Sequence, residues 1–289
     1  MLEFVATPGV AVALAGVLGL VVGSFLNVVI LRLPARLLHS WREQSREILE
    51  LDVAGEGGAS PPGIVREPSH CPQCKHKLGA LENIPVLSWL VLRGRCKHCG
   101  VKISAQYPLV ELLTCTTSAL IVWKFGFAWH AAAGLLFTWT LVALAGIDVR
   151  TQLLPDQMTL PLLWLGLLFA LVPLFIGPEA SILGAALGYL ALWSIYWMFK
   201  LVTGKEGMGY GDFKLLGALG AWMGPWSLLP IVLLSSLIGA IVGGSLLAIQ
   251  GRDRATPIPF GPFLAAAGWV QFVFGETISH LYRAIFGLP

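Results

Sequence analysis

Val10-Ala-Val-Ala-Leu-Ala-Gly-Val-Leu-Gly-Leu-Val-Val-Gly-Ser-Phe-Leu-Asn-Val-Val-Ile-Leu31 is an uncharged, predominantly apolar run closed by Arg32. Roughly 20 apolar residues are what a helix needs to cross a hydrocarbon layer of about 30 Å. The run is too long for the core of a cleavable signal, has no basic segment before it and is followed by arginines, so it reads as a first membrane span. Comparable stretches recur at about 107–124, 129–147, 157–177, 179–199, 212–229, 230–250 and 258–275. The expectation is an all-α integral membrane protein of about eight transmembrane helices embedded in the lipid bilayer. Composition agrees. The 289 residues are 56% hydrophobic and 12% charged, with a mean hydropathy of +0.76. Soluble domains carry roughly a quarter charged residues, so most of this apolar surface has to face lipid.

One sizeable polar region interrupts the spans, at 32–106. It starts with a charged, helix-compatible stretch (Ala35 to Glu50) and passes through a Gly/Pro/Ser-rich linker (Gly55 to Pro62) to a cysteine-bearing part. Three segments follow: 1–31 as first transmembrane helix, 32–106 as polar module, and 107–289 as a multi-helix membrane domain. Basic residues set the expected orientation. With the N-terminus periplasmic, residues 32–106 and the loops near 150, 205 and 253 are cytoplasmic, and only Lys124 and Arg283 lie outside. Lys and Arg in short loops stay cytoplasmic, and the opposite orientation would invert this bias. Gly184 with Gly188, Gly220 with Gly224, and Gly239 with Gly243 repeat at four-residue spacing, a pattern for close helix packing in lipid. Nothing points to a nucleic-acid partner.

Cys71-Pro-Gln-Cys74 and Cys96-Lys-His-Cys99 are two C-x-x-C knuckles separated by 21 residues. Four thiolates in this pattern suit tetrahedral Zn2+, and a closed site of this kind is structural. A cytoplasmic location disfavours a disulfide. His70, His76 and His98 can substitute as ligands but read more simply as exposed loop histidines. Cys115, inside the second span, reads as a small apolar residue; His130 and His280 read as interfacial, without a role.

Carboxylates at membrane depth are costly and each is a functional candidate. Asp148 closes the third span, Asp156 follows in Leu154-Pro155-Asp156, Asp212 opens the sixth span in Gly209-Tyr-Gly-Asp212, and Glu111 sits one turn into the second. Asp148 and Asp212 fall at the same membrane face, and two close carboxylates sharing one proton can run peptide hydrolysis. Gly209 and Gly211 leave room for an extended substrate backbone beside Asp212. Against this, Arg150, Lys205 or Lys214 can satisfy these carboxylates as plain interfacial ion pairs. No HExxH or G-x-S-x-G pattern offers another proteolytic chemistry.

These residues resemble type IV prepilin peptidase, a Gly-x-Gly-Asp aspartyl protease. The resemblance rests on Gly23-Ser-Phe-Leu-Asn27 through Arg32-Leu-Pro34, the cysteine pairs around Asn83-Ile-Pro-Val-Leu-Ser-Trp89 and Arg93-Gly94-Arg95-Cys96. It continues through Tyr107-Pro-Leu-Val-Glu111, Ile147-Asp148, Leu154-Pro155-Asp156, Gly209-Tyr-Gly-Asp212 and Pro259-Phe-Gly-Pro262. It implies a bifunctional enzyme of the Gram-negative inner membrane, with type IV prepilins and type II secretion pseudopilins as substrates. Such an enzyme removes a basic leader at the cytoplasmic face, then N-methylates the new terminal residue, commonly Phe, with S-adenosyl-L-methionine as methyl donor. The resemblance puts the catalytic aspartates at Asp148 and Asp212 and the metal cysteines at Cys71, Cys74, Cys96 and Cys99. It links Gly94, Arg95 and Glu111 to methylation, which rests on resemblance alone. Other classes remain distinguishable. A presenilin-like protease would cut within a substrate span, a proton-coupled transporter would depend on a gradient, and a zinc-stabilised scaffold would not need either aspartate.

Overall fold

The computed structural model describes residues 8–50, 60–65, 67–205, 207–250 and 259–286, with side chains omitted at 246–250 and 279–286. Most of the Gly/Pro/Ser-rich linker and the basic loop near 253 lie outside the described residues, as do the side chains of His280 and Arg283. Among the described residues the structure is helical and has no strand, only two isolated bridges. The helices are α1 (Pro8–Ile48), α2 (Leu87–Val91), α3 (Gln106–Phe125), α4 (Trp129–Thr151) and α5 (Asp156–Leu171), then α6 (Pro178–Thr203), α7 (Tyr210–Met223), α8 (Leu228–Gln250) and α9 (Gly261–Phe286). Short 3₁₀ turns lie at Leu81–Asn83 and Pro225–Ser227. The chain forms two compact units, Met1–Phe127 and Ala128–Pro289.

In the first unit, α1 and α3 run antiparallel with their backbones in contact. A methyl group on Gly19 would fall 2.6 Å from the Thr114 carbonyl oxygen, and one on Gly23 would fall 2.8 Å from the Glu111 Cα. Lipid supplies no hydrophobic drive between helices, so close backbone approach over small residues supplies the attraction instead. The first span does not end at Leu31. Its helix runs on for 41 residues to Ile48, with Pro34 inside it. A proline removes one backbone donor, but Ala35–Ile48 consists largely of good helix formers, and His39 pairs with Glu43 one turn on at 3.3 Å.

The second unit is built around α7. Every residue from Asp212 to Trp222 except Lys214 is buried. A helix that is apolar on all sides needs protein on all sides. α5, α6 and α9 supply it. Trp222 donates its indole N–H to the Leu162 carbonyl at 2.8 Å, and Ser181 donates its hydroxyl to the Ala221 carbonyl at 2.6 Å. Leu219 fills the space a side chain on Gly268 would need. Phe137, Phe175 and Phe272 pack with Trp222 at ring-centroid distances of 4.8 to 6.1 Å.

Among the described residues, five stretches are long and apolar enough to cross a membrane: Pro8–Ile48, Gln106–Phe125, Trp129–Thr151, Pro178–Thr203 and Pro225–Ser245. Two of the expected spans are shorter than the sequence suggests. The helix expected at 157–177 ends at Leu171, because Pro173 removes a donor and restricts the residue before it. The helix expected at 212–229 has 14 residues and stops at Gly224, whose φ of +79° leads into Pro225. At 1.5 Å per residue, α7 covers about 21 Å, less than a bilayer core. The last helix, expected over 258–275, continues to Phe286.

Gly184 and Gly220 meet backbone to backbone between α6 and α7, and a methyl group on either would overlap the other's carbonyl. Gly184→Val should therefore destabilise the second unit by about 3 kcal/mol or more, read as a fall in the thermal midpoint in detergent. Gly177→Ala, where nothing lies within 4 Å, should leave the midpoint close to wild type.

Candidate active site and metal centre

Two buried aspartates lie in the second unit, at the ends of helices. Asp148 sits in the last turn of α4 and is 5% exposed; Asp212 sits in the first turn of α7 and is 7% exposed. α4 closes on Gln152 in the left-handed conformation, with φ +55°, and the Gln152 amide bonds back to the Asp148 carbonyl at 2.9 Å. That cap turns the chain into Leu154-Pro155-Asp156 and on into α5. Asp212 is the third residue of its helix, with its Oδ2 beside Gly209, the residue capping that helix. A carboxylate at this position meets the positive end of the helix dipole. Asp148 Oδ2 lies against Gly261 at the start of α9. The two carboxyl groups are close enough to act on each other electrostatically.

The loops around the pair are held by small residues and one ion pair. A methyl group on Gly261 would fall 2.6 Å from Asp148 Oδ2, so a side chain there would push the carboxylate aside. Leu154 lies against Gly261 and against Gly211, where a methyl would fall 2.6 Å from the Leu154 Cβ. Gly211 therefore gives its space to Leu154, whereas the space at Gly209 opens toward Asp212 Oδ2 at 3.7 Å. Asp156 is not part of the buried pair. Both of its oxygens accept from Lys214 Nζ, at 2.6 and 2.8 Å, tying the start of α5 to the helix that carries Asp212. This pairing accounts for Asp156 and Lys214 together. Gly261 lies within a motif visible in the sequence, and Lys214 is one of the cations the sequence offers as an ion-pair partner, but the residues they meet are distant in the chain.

The cysteine region in the first unit is a pair of similar knuckles. The Cys71 amide bonds to the His76 carbonyl and the Cys96 amide to the Val101 carbonyl, both at 2.9 Å. Each knuckle carries one isolated bridge, His70 with Lys77 and Arg95 with Lys102. The knuckles face each other so that Cys71 and Cys99 sulfurs lie 3.8 Å apart and Cys74 and Cys96 sulfurs 4.0 Å apart. All four lie within 4.8 Å of one another and can hold a metal ion. The amides of Cys74 and then Gln73 draw the Cys71 thiol down to about 6, which favours the thiolate that metals bind. His70, His76 and His98 are not ligands of this cluster; His76 and His98 instead stack with centroids 3.5 Å apart.

The remaining candidates have distinct places. Gly94 is buried with φ +66° and lies under the Trp89 indole, where a methyl group would come within 2.9 Å of the ring. Trp89 in turn donates to the Ile103 carbonyl at 3.3 Å, closing the knot. Arg95 beside it is exposed. Glu111 is 6% exposed and accepts the Val86 amide at 2.7 Å. Val86 starts α2 at φ +61°, a costly conformation for a β-branched residue, which Glu111 holds in place. Arg32, which belongs to the first motif of the family resemblance, donates to the carbonyls of Gly63, Glu67 and Pro68 at 2.6, 2.9 and 3.1 Å. It fastens the approach to Cys71 onto the end of the first span.

An all-helical, multi-pass membrane protein with a buried aspartate pair and a four-thiol metal cluster is the class these features define. The description Bacterial Peptidase A24 N-terminal domain matches residues 17–125, and Type IV leader peptidase family matches residues 135–244. The chain belongs to the type IV leader peptidase family. A protein of Xanthomonas campestris pv. campestris named prepilin leader peptidase/N-methyltransferase is 54% identical over 97% of both chains. One of the same name from Stutzerimonas stutzeri is 54% identical over 97% of this chain and 96% of its own. Another from Pseudomonas aeruginosa is 48% identical over 99% of both. No solved structure matches the chain.

Replacing Glu111 tests its clamp on Val86. Glu111→Ala leaves a buried amide without its acceptor and should destabilise the first unit by about 1–3 kcal/mol. Glu111→Gln, which keeps an acceptor oxygen, should restore most of that. Hydrogen exchange of residues 84–92 measures both.

Proposed function

We propose that this protein is a bifunctional enzyme that removes the leader of prepilins and pseudopilins and N-methylates the new terminus. The observation that carries the peptidase half is the buried pair Asp148 and Asp212, at adjoining helix ends within one unit of a leader-peptidase family member. The methyltransferase half is supported by the names of relatives matching nearly the whole chain.

In this reading the two aspartates share one proton, because two close carboxylates cannot readily both ionise. The ionised carboxylate takes a proton from water, and the oxygen attacks the scissile carbonyl. The protonated one donates to the carbonyl oxygen and stabilises the tetrahedral intermediate. As the intermediate collapses, a proton passes to the leaving nitrogen and the C–N bond breaks. The space at Gly209 gives the substrate backbone access to Asp212, while the Lys214–Asp156 pair and Leu154 fix the approach.

Charge sets the orientation. We place the N-terminus in the periplasm and the cysteine region in the cytoplasm, in the inner membrane of a Gram-negative cell. Translocating Lys and Arg is unfavourable, and this arrangement leaves only Lys124 and Arg283 outside. A basic leader stays cytoplasmic by the same rule, which brings the scissile bond to the membrane face where the dyad lies.

For the four thiols we infer Zn2+. At a Zn–S distance of about 2.3 Å, sulfurs at the corners of a tetrahedron are about 3.8 Å apart, against the 3.8 and 4.0 Å found. With no open position the ion would fold the module, and the region 32–106 with Gly94, Arg95 and Glu111 is assigned to methylation. S-adenosyl-L-methionine would supply the methyl group. The described residues contain no strand followed by a glycine-rich loop to cradle it, so no step of that transfer is given to a side chain.

Two measurements on a prepilin-like peptide in detergent decide these assignments. Asp148→Asn and Asp212→Asn should each bind the peptide, keep the wild-type melting profile and abolish cleavage by mass spectrometry; normal cleavage by either variant removes that aspartate from the dyad. Cys96→Ser should still cut the peptide but leave the product 14 Da lighter than wild type, about one methyl group. Equal product masses would separate the metal cluster from methylation.

A further inference from the structure

His76, Glu82 and His98 form a cluster that the four thiols do not use. His76 follows the first knuckle, His98 lies inside the second, and Glu82 comes from the 3₁₀ turn Leu81–Asn83 between them. Their ligand atoms all lie within 4.8 Å of one another. His76 Nε2 is 3.4 Å from Glu82 Oε2, and the two imidazole rings lie 3.5 Å apart and tilted by 34°. We propose that these three residues form a second metal site, distinct from the thiolate cluster, taking a divalent cation of the zinc class and leaving a coordination position open.

Donor chemistry, distance and support each favour this. Two imidazoles and one carboxylate are the donor set of zinc sites that keep a position for an outside ligand, whereas four thiolates close the sphere. Nitrogen and oxygen ligands at about 2.1 Å from a tetrahedral ion are about 3.4 Å apart, which is the separation His76 and Glu82 already have. The side chains of His76 and Glu82 are 34% and 15% exposed, so the pair is sheltered but open on one side. The Gly79 amide bonds Glu82 Oε2 at 2.9 Å and, as the largest influence on it, holds the carboxyl below its ordinary range; His76 acts in the same sense. Lys97 also acts on Glu82 electrostatically, so the carboxylate already faces positive charge. The thiolate cluster needs none of the three, since its four sulfurs complete a tetrahedron.

An ion here would join three separate segments, namely both knuckles and the 3₁₀ turn. That turn runs through Ile84 and Pro85 to Val86, whose amide Glu111 holds. The second ion would thus fasten the metal cluster to the base of α3, with a free position for water or a small anionic ligand. This inference stands apart from the peptidase reading and would survive its failure.

Cobalt titration of the full-length protein in detergent, free of any histidine tag, tests it. The wild type should take two Co2+ per chain by elemental analysis. One equivalent should carry the intense near-ultraviolet absorption of a thiolate-bound ion, and the other should add only weak visible bands. Glu82→Gln and His98→Ala should each fall to one equivalent with the thiolate absorption unchanged. One equivalent in the wild type at saturating cobalt overturns the proposal, as do two equivalents in both variants. Loss of the thiolate absorption in both variants also overturns it, because it would place these residues in the first site.

Discussion

The second unit depends on keeping α7 out of lipid. At 14 residues this helix is too short to reach across a hydrocarbon layer, and its end groups would be left without partners there. Protein covers it instead. Glycines at 184, 188 and 220 let α6 approach backbone to backbone, Ser181 and Trp222 bond across to neighbouring carbonyls, and Gly268 admits Leu219. Because the helix is sheltered, its first turn can carry a buried carboxylate. Helix length and aspartate are thus one design.

The same constraint governs Asp148. Its carboxylate lies against the start of α9, which approaches it closely because α9 begins with Gly261. Leu154 then packs where Gly211 and Gly261 lack side chains. The Lys214–Asp156 pair draws the intervening turn onto α7. Four motifs scattered from 147 to 262 are consequently parts of one small structure, each explained by what touches it.

This accounts for which features were legible in the sequence. Spans, knuckles and membrane-depth aspartates were visible because each is a local pattern: an apolar run, a C-x-x-C pair, a carboxylate where none is cheap. The ends of α5 and α7 were misjudged because hydropathy does not distinguish residues covered by lipid from residues covered by protein. α1 was cut short at Leu31 because the change from apolar to charged residues marks the membrane boundary, not the end of the helix. Glu111 was visible as an anomaly, but its partner Val86 lies 25 residues upstream and nothing local links them. The histidines at 76 and 98 looked like separate loop residues until the knuckles faced each other.

On the proposed reading, the division into two compact units explains how one chain can hold two activities. The dyad, the glycines beside it and the Lys214–Asp156 pair all come from residues 148–261, within the second unit. The thiolate cluster, the Gly94–Trp89 knot and the Glu111 clamp all belong to the first. No residue is asked to serve both chemistries, so damage to one set need not reach the other. Gly94 illustrates the point. Its positive φ and its place under the Trp89 indole make it a residue of fold, so its link to methylation acts through the shape of the module that surrounds it. A role of that kind predicts sensitivity to side-chain size at 94, whereas exposed Arg95 beside it would respond to charge.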